Sequence, residues 1–318
     1  MILVTGATGF VGAALVARLA REGFETRACV RRDVANTPAG VHAVRVSDLT
    51  SDTNWRDALV GVEVVVHAAA RVHVMADTAS DPLAEFRRIN VEGTVNLARQ
   101  AAAAGVRRFV FVSSIKVNGE ATKLGMPYSA EDAPAPTDPY GVSKMEAEQA
   151  LRALAQQTGM ALVIIRPPLV YGPGVKANFQ AMMRWLARGV PLPLGAIDNR
   201  RSLVSLDNLV DLIVACLGHP AAVNQTFLVS DGEDLSTTQL LRRMAQALGR
   251  PARLIPMPSA WLRLGAALLG KPAVAQRLCG SLQVDISKTR QLLGWNPPLS
   301  VDEGLKKAAE GYLRGASV

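Results

Sequence analysis

The sequence predicts an α/β protein: a doubly wound parallel sheet with a smaller, mostly helical lobe toward the C-terminus. Three observations carry that prediction. Short apolar runs rich in Val and Ile alternate with helical patterns through the first half, as in βαβ units of a parallel sheet covered on both faces. A glycine run, Gly6-Ala7-Thr8-Gly9-Phe10-Val11-Gly12, separates the first apolar run from the first helical pattern. The alternation then stops after Arg166, where Pro167, Pro168, Pro173, Pro191 and Pro193 break up the chain.

In order, residues 1–5, 26–30, 41–46, 64–67, 109–113 and 161–166 read as buried strands. Between them 11–22, 55–59, 84–104 and 143–158 read as helices. Right-handed crossovers leave the doubly wound arrangement as the simplest topology. A later apolar run at 225–229 reads as one more strand rejoining the sheet, and the chain beyond about residue 235 is mostly helical. The predicted division is a dinucleotide-binding domain from 1–166 plus about 202–230, and a substrate lobe from about 167–201 plus 231–318.

A hydrophobic fraction of 49% against 19% charged suits a soluble protein with a large core. No stretch reaches the ~18 apolar residues of a membrane helix. The apolar start Met1-Ile2-Leu3-Val4 lacks a preceding basic region and a following cleavage site, so no signal peptide is expected. Cys29, Cys216 and Cys279 are isolated, which predicts neither a disulfide framework nor a metal site, and a cytoplasmic location. The net charge is +8, but the basic residues are scattered and do not interleave with aromatics, so neither nucleic acid nor membrane is an expected partner.

The glycine run follows a predicted strand and opens a predicted helix, the context in which such a run binds a dinucleotide. Gly6 suits a tight turn, Gly9 the approach of a pyrophosphate, and Gly12 close packing of helix on strand. The helix N-terminus offers free N–H groups to the anion. Arg31 at the end of the second strand favours NADP(H) over NAD(H), because a guanidinium accommodates a ribose 2′-phosphate; Asp33, two residues on, weakens the preference. Asp48, after the third strand, is placed to meet the adenine or to cap a turn.

Tyr140-Gly141-Val142-Ser143-Lys144 sets a phenol and an ammonium four residues apart, on one face of a helix. A neighbouring cation lowers the phenol's pKa from about 10 and makes Tyr140 a usable acid–base group. Pro139 fits a helix beginning there.

Together with Val66-His67-Ala68-Ala69, Asn90-Val91-Glu92-Gly93-Thr94 and Phe111-Val112-Ser113-Ser114, these runs resemble the extended short-chain dehydrogenase/reductase family, in its order and spacing over nearly the whole chain. The resemblance implies a Rossmann-type sheet and a catalytic trio of Ser114, Tyr140 and Lys144. It also implies cofactor contacts from Thr8, Phe10, Val11, Leu49, Ala68, Ala69, Ala70 and Asn90, for which a supporting role is as plausible at Asn90. The family often pairs two long helices per subunit, here 84–104 and 143–158, into a homodimer.

The second half resembles the nucleotide-sugar branch. Asn178-Phe179 matches the Asn–Leu pair that holds the nucleotide diphosphate in UDP-hexose epimerases, and Arg201 their diphosphate-binding arginine, with Arg277 as a looser second match. A guanidinium's planar donor fork suits phosphate. The implied substrate is a UDP-sugar. Ile115-Lys116 stands where 4,6-dehydratases carry an Asp–Glu pair, so dehydration is not expected; Lys116 is either a substrate contact or a solvated lysine. Asn118 and Leu169 replace a usual tyrosine and a frequent asparagine.

Two redox reactions remain open. One reduces a UDP-4-keto-6-deoxy-N-acetylhexosamine at C4 with NADPH, favoured by Arg31 and by the likeness of the 67–75, 113–119 and 191–195 stretches to the subgroup forming UDP-N-acetylquinovosamine. The other is C4 epimerisation of a UDP-hexose with a retained NAD. A flavonol or steroid reductase and a non-catalytic NADP sensor are remoter readings.

Overall fold

The structure, a computed structural model, describes residues 1–32, 37–72, 81–270 and 272–316. Asp33 and residues 73–75 of the sequence reading lie outside them. The framework is a seven-stranded sheet in which every pairing is parallel. Its strands are β1 (Ile2–Thr5), β2 (Thr26–Val30), β3 (Val41–Arg45), β4 (Val64–His67), β5 (Arg108–Val112), β6 (Ala161–Arg166) and, after two strands elsewhere, β9 (Gln225–Leu228). Their spatial order is β3-β2-β1-β4-β5-β6-β9. The direction of winding reverses between β1 and β4, so a crevice opens at their carboxyl ends, where such sheets bind ligands. All the predicted strands of this sheet are present, each within a residue of its predicted ends.

β7 (Leu169–Tyr171), β8 (Arg201–Ser205) and β10 (Asp234–Leu235) form a separate three-stranded sheet, with β8 between the other two. The helices are α1 (Phe10–Arg21), α2 (Arg56–Leu59), α3 (Pro82–Arg87), α4 (Thr94–Ala103), α5 (Pro139–Thr158), α6 (Ala177–Ala187), α7 (Leu206–Gly218), α8 (Thr237–Ala247), α9 (Ser259–Leu268), α10 (Pro272–Cys279), α11 (Ser287–Leu293) and α12 (Val301–Ala316).

Strand residues alternate between two cores. Val4, Val66, Val110 and Val163 pack with Leu15 and Leu19 of α1 and Leu209 and Ile213 of α7. Leu3, Val65, Phe109 and Ile164 pack with Leu97 and Ala101 of α4 and Ala147 and Leu151 of α5. This is the reason the central strands read as unbroken apolar runs: both faces are covered. A third core gathers Tyr171, Phe179, Leu241 and Leu305 around the small sheet.

Two helices differ from the sequence reading in a way that matters for the site. The predicted helix at 84–104 begins at Pro82 and passes through a π-helical segment, Arg88–Gly93, between α3 and α4. There Gly93 lies against Leu49: a β-carbon would fall 2.6 Å from its carbonyl oxygen. α5 starts at Pro139, ahead of the 143–158 span and where the proline itself suits a helix start. Asp138 caps it by accepting from the Gly141 amide at 2.6 Å, Pro139 needs no donor in the first turn, and Gly159 closes the helix in the left-handed conformation.

Candidate active site

The carboxyl ends of β1, β2, β4, β5 and β6 border a cleft of about 700 Å³, within the roughly 300–1,000 Å³ common for small-molecule sites. One end is built by the glycine run. Gly6 sits at φ +68°, where an L side chain is strained, and a β-carbon on it would meet the Ala69 amide nitrogen at 2.8 Å. A β-carbon on Gly12 would fall 2.1 Å from the Gly6 carbonyl oxygen, so only glycine lets α1 lie this close to the end of β1. No side chain caps α1 at Gly9. Its first amides are thereby left to an anion in the cleft. This cradle fits the diphosphate of a dinucleotide.

The position of the β4 end is fixed from within. The His67 ring bridges Thr5 Oγ1 at 2.7 Å and Thr94 Oγ1 at 2.9 Å, and Thr5 Oγ1 accepts from the Ala69 amide at 3.3 Å. Burial, helped by the Lys144 charge, pushes His67 down to about 3. His67 is therefore a neutral strut between β1, β4 and α4.

At the other end of the glycine loop, Arg31 stands exposed on the rim. Asp48 turns its Oδ1 back to the Leu49 amide at 2.9 Å, so the turn-capping role is realised while the residue lines the cleft. Cys29, Val30, Val46 and Trp55 complete this wall. Sequence reasoning passed over Trp55, whose only signal is an aromatic at the start of a short helix.

Ser114, Tyr140 and Lys144 line the same cleft. Ser114 follows β5 and takes the N-cap of a short 3₁₀ turn, its Oγ accepting from the Lys116 amide at 3.2 Å. Tyr140 and Lys144 share one face of the first turns of α5. Lys144 is buried, donates from Nζ to the Val112 carbonyl at 2.9 Å and lies 4.4 Å from the Phe111 ring centre.

Burial shifts both titratable members of the trio. Withdrawal from solvent raises Tyr140 to about 12, reinforced by the Asp138 carboxylate and opposed by the Ser114 hydrogen bond. Burial also pushes Lys144 down to about 7, with Glu148 opposing it. Desolvation outweighs the cation–phenol attraction that the four-residue spacing suggested.

Glu148, one turn after Lys144, is a member of a buried network absent from the sequence reading. It receives Arg166 through Nε at 2.9 Å and Nη2 at 2.5 Å, and Ser113 Oγ at 2.6 Å. Arg166 also donates to Asn118 Oδ1 at 2.9 Å, and Asn118 donates to the Ser129 carbonyl. The replacement of a usual tyrosine by Asn118 thus serves this network. Its signal in the sequence was a carboxylate spaced four residues from Lys144 and an arginine ending β6.

The expected cofactor contacts Gly6, Thr8, Gly9, Phe10, Val11, Gly12, Arg31, Asp48, Leu49, Ala68, Ala69 and Ala70 all line the cleft. Asn90 does not. Its amide accepts from the Arg71 backbone N–H at 2.8 Å and donates to the Arg71 carbonyl and to Ser143 Oγ. Arg71, which sequence reasoning missed, lines the cleft with its guanidinium 5.5 Å from the Phe86 ring centre.

The expected substrate contacts do not line the cleft. Lys116 is paired with Asp138 and Glu120, which ties it to the cap of α5. Asn178 is exposed in the first turn of α6, and the Arg277 side chain is exposed on α10. Arg201 donates from Nη1 to the carbonyls of Arg277 and Gly280, both at 3.1 Å. Arg201 and Arg277 are therefore neighbours, through a backbone oxygen rather than through two guanidinium groups.

Residues 2–230 match the family described as NAD dependent epimerase/dehydratase. The chain is 50% identical over 315 residues, 98% of its length and 95% of the relative's, to a UDP-glucose 4-epimerase of Vibrio cholerae. It superposes with a TM-score of 0.77 on MoeE5 in complex with UDP-glucose and NAD, at 26% identity over 99% of each chain. A UDP-glucuronic acid 4-epimerase from Bacillus cereus in complex with NAD shares the fold, with a TM-score of 0.78 at 21% identity over 98% of this chain and 96% of that one. Sequence motifs, sheet topology and these matches converge: the chain belongs to the NAD dependent epimerase/dehydratase family of extended short-chain dehydrogenases/reductases.

Proposed function

We propose that the protein is a nucleotide-sugar 4-epimerase that interconverts the C4 epimers of a UDP-hexose with a retained NAD. The observation that carries the proposal is that Ser114, Tyr140 and Lys144 line the same cleft as a diphosphate cradle. The 50% identity to a UDP-glucose 4-epimerase supports the substrate class.

The nicotinamide, when bound, supplies a hydride acceptor at C4 and returns the same hydride. Tyr140, as the phenolate, takes the C4 hydroxyl proton as the hydride leaves and, now the phenol, gives it back after the 4-keto sugar has presented its other face. Ser114 holds the reacting oxygen beside the phenol. Lys144 favours the phenolate that Tyr140 must be before it takes this proton, against the burial that favours the phenol in the free protein. Arg201, whose Nη1 is held by two carbonyls, is the residue we assign to the substrate diphosphate, with Asn178 closing over it.

A second reading is favoured by Arg31 at the rim of the cleft: one-way reduction of a UDP-4-keto-6-deoxy sugar by NADPH. One experiment separates the two. Pure protein incubated with UDP-glucose and no added cofactor is expected to form UDP-galactose, read by chromatography. No interconversion, together with stoichiometric oxidation of added NADPH by the 4-keto sugar, would overturn the epimerase reading in favour of the reductase.

A further inference from the structure

The helical hairpin of α9 and α10 holds large apolar side chains in solvent. α9 buries none of its residues. Trp261, Leu264 and Leu268, spaced three and four apart and so on one helix face, are 65%, 53% and 81% exposed. Leu269 just beyond α9 and Val274 on α10 are exposed as well. A single exposed leucine is ordinary; five large apolar side chains within fourteen residues mark an interaction surface.

The segment that carries the hairpin has one sign of charge. Residues 235–284 contain seven Lys/Arg and no Asp/Glu, in a chain whose net charge is +8. Arg250, Arg253, Arg263 and Arg277 are exposed and form no ion pair among the described residues.

We propose that this hairpin seats the protein on an anionic lipid bilayer. Trp261, Leu264 and Leu268 enter the boundary between headgroups and acyl chains, and the arginines face the headgroups. Among the described residues no helix is long and apolar enough to cross a membrane, but surface docking needs only an apolar helix face flanked by cations. An indole is suited to that boundary. A second copy of the chain is a poorer occupant, because a two-fold contact sets this all-positive segment against itself. Docking also gives the surface a bearing on the substrate: α10 ends beside Arg201, which holds the carbonyls of Arg277 and Gly280. On the proposed assignment of Arg201 to the substrate diphosphate, docking turns that part of the molecule toward the bilayer.

The test is flotation of the full chain with phosphatidylcholine vesicles, with and without phosphatidylglycerol, at low and high salt. The wild type is expected to float with the anionic vesicles, to stay behind with the neutral ones, and to be released by salt. The combined variant Trp261→Ser/Leu264→Ser/Leu268→Ser is expected to lose flotation while keeping its circular dichroism and its turnover of a soluble UDP-sugar. Arg250→Gln/Arg253→Gln is expected to weaken flotation and leave the apolar face intact. Wild type that stays behind with anionic vesicles would overturn the proposal, as would equal flotation of the triple variant. A concentration-dependent dimer in ultracentrifugation, abolished by the triple variant and without flotation, would assign the face to a second copy instead.

Discussion

Replacing Glu148 with glutamine removes one charge and almost no volume, so its effect is almost purely electrostatic. Glu148 and Arg166 are each 3% exposed in their side chains and meet through two parallel hydrogen bonds. In Glu148→Gln the Arg166 cation stays buried without its counter-charge. Breaking one side of such a pair costs about 3–5 kcal/mol. For a chain of this size that lowers Tm by roughly 6–20 °C. Glu148→Gln/Arg166→Met, which removes both charges, is expected to regain most of the loss. A second readout reports on the site. Glu148 opposes the burial that holds Lys144 near 7, so its neutralisation moves Lys144 further down. If protonated Lys144 is the active form, turnover declines as pH rises through that value, and the decline is expected to begin at lower pH in the variant. Thermal melts and kcat over pH 6–9, a window about the Lys144 value, provide both readouts. A drop in Tm below about 2 °C would refute the energetic argument; an unmoved kcat profile would refute the link to Lys144.

Tyr140→Phe is expected to lower kcat by about 10²–10⁴-fold while leaving nicotinamide binding nearly intact by calorimetry. Lys144→Met is expected to abolish turnover yet stabilise the fold. A lysine held near 7 disfavours the folded state most fully below that pH, and the penalty fades as pH rises toward its unfolded value, so the gain in Tm is largest near pH 6 and smallest near pH 9. Gly12→Ala forces a β-carbon to within 2.1 Å of the Gly6 carbonyl oxygen. It is expected to cost about 1–3 kcal/mol or more in a melt and to reduce dinucleotide affinity through displacement of the cradle. Arg201→Gln is expected to weaken UDP binding at least tenfold, about 1.4 kcal/mol, without changing nicotinamide binding, both by calorimetry.

The large sheet was legible because its signals are local. β1 and β4 read as unbroken apolar runs, and the glycine run lies where β1 becomes α1, so sequence order and cofactor wall coincide. Ser114, Tyr140 and Lys144 are picked out by spacing and likeness, and the fold places all three on one cleft. Less legible were features made by contacts between distant segments. Asn90 belongs to a motif, but only the fold shows its amide spent on Arg71 and Ser143. Glu148 joins Ser113 and Arg166, 35 and 18 residues away, and no periodicity announces that. The burial of Tyr140 and Lys144 is illegible for the same reason: residue spacing reports proximity, whereas desolvation depends on everything packed around the group. Asn178, Arg201 and Arg277 come from the part of the chain with least regular pattern.

The clip made by Asn90 has a consequence for how the enzyme's working gap is set. From the π-helical segment it holds the backbone at Arg71 on one side and Ser143 on the other, and Ser143 donates to the Tyr140 carbonyl at 2.8 Å. The wall beside Ala68–Ala70 and the turn carrying the phenol are thus gauged against each other by a single side chain that does not line the cleft. Hydride and proton transfer need reacting atoms about 3–3.5 Å apart, so slack in this gauge falls on the rate of chemistry before it falls on binding. Adaptation to a bulkier or smaller sugar therefore has a place to act, in the helix turns around Asn90, that leaves the catalytic trio itself unchanged.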